Sequence, residues 1–188
     1  MQRDNSIVVG SIADIAEKTG TSIAESFLSC DALVIVDTSG SMAANDSRGR
    51  RSRYEVALEE LAKLQACMPG KVAVVAFSDS AEFVPGGVPM LMGGGTDLAG
   101  ALRFARMADG ADMRFIAVSD GECDDEAAAL SEAAMFEAHI DTVFVGPERY
   151  PIGRAFLQRL AAASGGRSVT ADRAQELATK IETLLLHA

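Results

Sequence analysis

Three separated stretches of this sequence carry oxygen donors in an arrangement that could do chemistry. Asp37-Thr38-Ser39-Gly40-Ser41 places one carboxylate and two hydroxyls at alternate positions, 37, 39 and 41. Thr96 adds a third hydroxyl directly behind Gly93-Gly94-Gly95, and Ser119-Asp120-Gly121 adds a second carboxylate. Asp37, Ser39, Ser41, Thr96 and Asp120 are all hard oxygen donors. Such a set suits Mg²⁺, which takes oxygens in an octahedron and keeps several waters, with Mn²⁺ or Ca²⁺ as substitutes. His139 and His187 lie outside these stretches and no cysteine is among the five donors, so a soft-metal site is disfavoured. Taken singly, each residue has an ordinary use: serine and threonine cap helices, and Asp120 can open a turn before Gly121. Their occurrence together points to a metal.

The elements needed to bring these stretches together can be read from the hydrophobic pattern. Residues 32–36, 71–77, 113–118 and 140–145 are short apolar runs, rich in β-branched residues, of the kind found in strands buried on both faces. Residues 53–65, 96–107, 124–138, 154–163 and 172–186 read as helices, and 167–170 as a further short strand. Ser78-Asp79-Ser80 turns the chain into 81–84, a short strand placed to pair back as a hairpin. Strands alternating with helices imply crossover units around a mostly parallel sheet, hence an α/β fold. In such a sheet, ligands bind beyond the carboxyl ends of the strands. Every one of the five donors falls at or near such an end. Residues 1–30 carry Ile12, Ile15, Ala16, Ile23, Ala24 and Phe27 at helical spacing, interrupted near Gly20, and read as an N-terminal helical extension on a domain spanning 31–188.

Asp-x-Ser-x-Ser after a buried strand, a distant Thr after glycines, and Ser-Asp-Gly after a later strand resemble the metal-ion-dependent adhesion site of von Willebrand factor type A domains. The resemblance covers about residues 31–187 in element order. Its most specific segment is Asp37-Thr38-Ser39-Gly40-Ser41-Met42. It implies a three-layer, doubly wound, Rossmann-like sheet with one antiparallel edge strand, a place that residues 81–84 fit. It also implies roles: Ser39 and Ser41 bind the metal directly, Thr96 directly or through water, and Asp37 and Asp120 largely through water. Resemblance to stand-alone bacterial-type intracellular members further implies service in a larger assembly, with an AAA-type ATPase as one such partner.

Neutral hydroxyl ligands leave a dication only partly neutralised, so it attracts an outside anionic oxygen, most simply a Glu or Asp of another protein. The expected function is therefore metal-dependent protein binding rather than catalysis, by a chain that is monomeric when alone. Two alternatives stand beside it. Ala117-Val118-Ser119-Asp120-Gly121 partly resembles a nucleophile elbow, with Asp141 and His187 following in hydrolase order, although position 117 is Ala where that motif has Gly. The other alternative is a scaffold whose metal is purely structural. The loop at 43–52 is long and polar and carries Arg48, Arg50 and Arg51, with Arg53 just after it. It reads first as a solvated loop and second as a basic rim that recognises acidic groups of the partner. Glu122, Asp124, Asp125 and Glu126 read as the acidic start of a helix, with an added pull on a cation as the second reading.

Composition bounds the rest. The chain has 188 residues, 48% hydrophobic and 23% charged, which suits one globular domain. Its 17 Lys plus Arg against 27 Asp plus Glu give a net charge of −10, which argues against general affinity for nucleic acid or anionic membrane. Three scattered cysteines with no Cys-x-x-Cys pair indicate neither a disulfide framework nor a zinc cluster. Together with the absence of a long apolar run, this leads to the expectation of a cytoplasmic protein.

Overall fold

The structure is a computed structural model and describes residues 7–110, 113–147 and 149–170. The last helix expected at 172–186, His187, and the first six residues of the N-terminal extension lie outside the described residues.

Among the described residues six strands form one sheet: β1 (Ala32–Asp37), β2 (Val72–Phe77), β3 (Ala81–Phe83), β4 (Arg114–Ser119), β5 (Ile140–Phe144) and β6 (Ser168–Thr170). Their spatial order is β3-β2-β1-β4-β5-β6. All pairs are parallel except β2 with β3, where Phe77 faces Ala81 in an antiparallel edge hairpin. The fold is thus the α/β, doubly wound, mostly parallel sheet with one antiparallel edge strand expected from the sequence. The chain starts in the middle with β1 and winds outward in both directions. This creates a topological switch point between β1 and β4, where the loops after two adjacent strands diverge and leave a crevice.

Both faces of the central strands are buried, for the reason that made them unbroken apolar runs. Leu33, Ile35, Ala73, Val75, Phe77, Phe115 and Ala117 point to one face, and Val34, Val36, Val72, Val74, Ile116 and Val118 to the other. The first face packs against α4 (Leu98–Ala105), α5 (Glu126–Ala133) and α6 (Pro151–Ala163) through Leu102, Ala129, Phe156 and Leu160. The second packs against α3 (Arg53–Cys67) through Val56, Ala57, Leu61 and Leu64. At ~25 cal/mol per Å² of apolar area, this two-sided burial is the main force holding the layers together.

The N-terminal segment folds as two short helices, α1 (Ile12–Thr19) and α2 (Ile23–Leu28). Ser11 and Ser22 cap them, and Gly20, in the left-handed conformation, ends the first. Ile12 joins the core and Phe27 packs edge-on against Phe83 of β3, so these helices lie against the antiparallel edge of the sheet. α5 is shorter than the 15-residue stretch expected. It stops at Ala133 because the chain turns back to bury Phe136 against Phe115, while the N–H groups of Glu137 and Ala138 donate to the Asp109 carboxylate at 2.7 and 3.0 Å. α6 begins earlier than expected, at Pro151, whose missing N–H costs nothing at a first helical position.

Candidate metal site

Asp37 ends β1 and Ser119 ends β4, side by side at the switch point. Both are buried. The Ser119 hydroxyl donates to Asp37 Oδ2 at 2.6 Å and accepts from the Gly121 N–H at 2.9 Å. Asp37 Oδ1 accepts from the Ser39 N–H at 2.9 Å. The carboxylate is therefore clamped from both sides, and among the described residues no basic side chain pairs with it. Burial pushes the Asp37 carboxyl up to about 6; hydrogen bonds from Ser119 and Ser39 oppose that shift, and the charge of Asp120 adds to it.

Beyond Asp37 the chain enters a single 3₁₀ turn, Gly40–Ala43, which brings the Ser39 and Ser41 hydroxyls to 3.2 Å from each other. Neighbouring oxygens of an octahedron lie about 3 Å apart around Mg²⁺ and about 3.4 Å apart around Ca²⁺, given their usual metal–oxygen distances. The pair has the spacing of two adjacent ligands of a hard dication. The glycine loop closes over this turn. Met92 and Gly93 donate to the Thr38 carbonyl at 3.0 and 2.9 Å, and Gly40 donates to the Gly94 carbonyl at 3.2 Å.

Thr96 is set in place by two aspartates. Asp79 accepts from the Gly95 N–H at 2.9 Å and Asp124 from the Thr96 N–H at 2.8 Å. A side chain at Gly94 would run into the Asp79 carboxylate, and Gly94 also sits at φ +83°, so glycine is needed there for room and for conformation. The helix cap is not Thr96 but Asp97, which accepts from the Gly100 N–H at 2.8 Å. Thr96 and Ser41 line one cleft of about 480 Å³, together with Gly121, Glu122, Tyr150 and Ile152.

Asp120 is fully buried. One of its oxygens accepts from the Glu122 N–H at 3.0 Å. The other accepts from Arg53 Nη1 at 2.6 Å. Arg53 is the first residue of α3, and the same guanidinium also donates to Asp46 at 2.9 and 3.1 Å and to Glu122 at 2.7 Å. Burial works against the charged guanidinium, but these carboxylates outweigh it and hold Arg53 firmly protonated. The Asp120 turn is braced from behind as well. Gly121 and Gly153, at the start of α6, meet backbone to backbone with no room for a Cβ on either.

The structure thus brings Asp37, Ser39, Ser41, Thr96 and Asp120 to the carboxyl-end crevice from three loops. The donor chemistry, two carboxylates and three hydroxyls, fits Mg²⁺ better than a transition metal. Among the described residues, no group of three or more His, Cys, Asp or Glu side chains is arranged to hold a metal, so any ion here must be held largely by hydroxyls and water. Sequence reasoning missed Asp79, Asp124, the clamping role of Ser119, and Arg53 as a partner of Asp120. Of the arginines after residue 47, Arg50 and Arg51 are exposed as a solvated loop would have them, but Arg48, Arg51 and Arg53 are engaged with carboxylates of this chain. Arg48 pairs with Glu59 and Glu60 at 3.0 and 2.8 Å, Arg51 pairs with Glu59, and Arg53 is buried. Among the described residues, Ser119 and Asp141 of the hydrolase reading are not brought into contact. Ser119 lies beside Phe144, roughly 10 Å along β5 from Asp141. Asp141 instead accepts from the Arg167 N–H at 2.7 Å, and His187 is outside the described residues.

No protein-family model matches this sequence, and no curated protein does. Solved structures are similar at low identity. An aerotolerance-related membrane protein from Bacteroides fragilis, carrying multiple mutations to serine, is 19% identical with a TM-score of 0.64, over 82% of this chain and 97% of that one. The conserved hypothetical protein BatB from Bacteroides thetaiotaomicron is 16% identical with a TM-score of 0.62, over 83% and 98%. The vWF domain of the type V pili tip protein Mfa5 from Porphyromonas gingivalis is 12% identical with a TM-score of 0.54, over 83% and 94%. With the strand order and the antiparallel edge hairpin described above, these likenesses establish that the chain has a von Willebrand factor type A-like fold.

Proposed function

We propose that this chain is a metal-dependent protein-binding module. In this reading Mg²⁺ is held by Ser39, Ser41 and Thr96, with Asp37 and Asp120 beneath, and a Glu or Asp of a partner protein reaches it through the cleft over Ser41 and Thr96. One observation carries the reading: a fully buried carboxylate, Asp37, clamped in orientation, with no cation of its own among the described residues, under two hydroxyls at ligand spacing. Burying a lone carboxylate is costly unless something positive completes it. When bound, the ion would supply an electrophilic centre for an outside carboxylate. The chain's own residues do the rest. Asp37 orients the Ser39 loop, Asp79 and Asp124 fix Thr96, and the cleft rim of Tyr150 and Ile152 offers an apolar contact for the residue beside the partner's acid. A place in an AAA-type ATPase-linked assembly belongs to the same proposal.

The test is calorimetric titration of Mn²⁺ and Mg²⁺ into the full chain, followed by water-proton relaxation of the Mn²⁺-loaded protein on adding acetate. One site is expected, weakened at least tenfold by Asp37→Asn and by Ser39→Ala, with acetate lowering relaxivity as it displaces metal-bound water. Unchanged metal binding in both variants would refute the site, and binding without an acetate response would reduce the ion to a structural role.

A further inference from the structure

Asp120 and Arg53 are 67 positions apart in sequence, yet they form a buried ion pair inside the candidate site. The pair is more than a brace. Arg53 sits at the amino end of α3, where the helix dipole disfavours a cation, and its side chain is nearly as buried as Asp120 itself. A guanidinium in that place needs its carboxylates, and it has three: Asp46, Asp120 and Glu122. The effect on Asp120 is specific. One oxygen accepts from the Glu122 N–H and the other is held in an ion pair by Arg53 Nη1 at 2.6 Å, so a metal ligated directly by Asp120 would compete with the guanidinium. Asp37, by contrast, accepts only from the Ser119 hydroxyl and the Ser39 N–H and pairs with no basic side chain among the described residues. The two acidic residues of the site are therefore not equivalent.

We propose that Arg53 is a positioning residue that withholds Asp120 from direct metal ligation and offsets its charge, so that the bound dication keeps its appetite for an outside carboxylate. This inference rests on the metal-binding reading above and deepens it. A dication whose protein ligands are hydroxyls and one distant carboxylate attracts an external acid. One directly ligated by a second carboxylate is better satisfied and attracts it less. Arg53 trades metal affinity for partner affinity, and its removal reverses that trade.

The experiment compares the full wild-type chain with Arg53→Gln, Asp120→Asn and the double variant. Mn²⁺ affinity is read by calorimetry, acetate response by water-proton relaxation, and melting temperature with and without Mn²⁺. Arg53→Gln is expected to melt lower than wild type without metal, to bind Mn²⁺ roughly tenfold tighter, since a unit positive charge near the ion is gone, and to lose most of the acetate response. Asp120→Asn is expected to weaken Mn²⁺ binding only a few-fold in the wild-type background but more than tenfold in the Arg53→Gln background. That non-additivity is what a merely structural arginine would not produce. If Arg53→Gln does not fold, Arg53→Lys replaces it, with the same order of affinities and smaller steps. Equal or weaker Mn²⁺ binding in the arginine variant, or an additive cycle, overturns the proposal while leaving the metal site standing. No Mn²⁺ binding in wild type overturns both.

Discussion

Ser119→Ala is the sharpest probe of how the site is built. The hydroxyl donates to a buried carboxylate at 2.6 Å and accepts from a buried backbone N–H at 2.9 Å. Losing a hydrogen bond to a charged group costs about 1.5–3 kcal/mol, and orphaning the Gly121 N–H costs about 1–3 kcal/mol more. Partial relaxation trims the sum, so about 3–5 kcal/mol is expected. At roughly 3 °C per kcal/mol for a chain of this size, the melting temperature should fall by about 9–15 °C. The assay is differential scanning calorimetry at pH 7.5 in EDTA, so that no metal masks the loss. Because the Asp37 carboxyl loses its strongest donor, Asp37→Asn in the Ser119→Ala background should restore part of the stability by removing the unsupported charge. A single variant melting within about 2 °C of wild type would refute the reasoning, since it would mean that the hydroxyl supports neither Asp37 nor the turn after β4.

Four further outcomes are expected. A fluorophosphonate probe should leave Ser119 unlabelled, since its hydroxyl is buried and already committed to Asp37; labelling detected by peptide mass spectrometry would revive a hydrolase. Gly153→Ala should lower the melting temperature by roughly 6 °C, because the new methyl meets the Asp120 carbonyl and overpacking of that kind costs about 2 kcal/mol. Iodoacetamide at pH 8 should label exposed Cys67 within minutes and spare Cys30, whose thiol burial pushes up to about 11; equal rates would contradict the packing of α2. Lys63, with Arg51 and Arg48, holds the Glu59 carboxyl down at about 2, so its stabilisation is complete above its unfolded value near 4.5 and is lost as pH falls toward 2. Glu59→Gln should therefore cost at most about 1 kcal/mol at pH 7, given solvent screening, with the two melting curves converging near pH 2.5.

Much of the scaffold was legible because it depends on local pattern. The runs at 32–36 and 71–77 could only be buried strands, and the helix at 53–65 showed its face through Val56, Leu61 and Leu64. The placement of the five candidate residues was legible because each lies at or after a strand end or follows a glycine run. The supports of the site were not, because they are long-range. Nothing near Arg53 in sequence names Asp120, although one signal was there: Ser52 and Glu55 form a capping box at a helix start, where a cation at the first position is out of place unless a carboxylate waits for it. The loop at 43–52 is exposed or half-buried throughout, as its polar composition suggests, but its anchor was not legible: Ser47 donates to the Val145 carbonyl at 2.6 Å, 98 positions away. Asp124 looked like a helix-start acid, yet Asp125 caps α5 and Asp124 holds Thr96 instead. Charge near a helix start says that a dipole is favoured, not which residue is borrowed by a neighbouring loop.

The position of β1 and β4 has a mechanical consequence. Each is an interior strand, laddered on both flanks, and the cleft hangs from their carboxyl ends. Tension applied by a tethered partner along the strand axis would enter the middle of the sheet as shear. It would have to rupture two hydrogen-bonded seams at once, whereas force on an edge strand can peel bonds one by one. An optical-tweezers experiment with a handle attached covalently at the carboxyl end of β1 should find a rupture force well above that for a handle on β3.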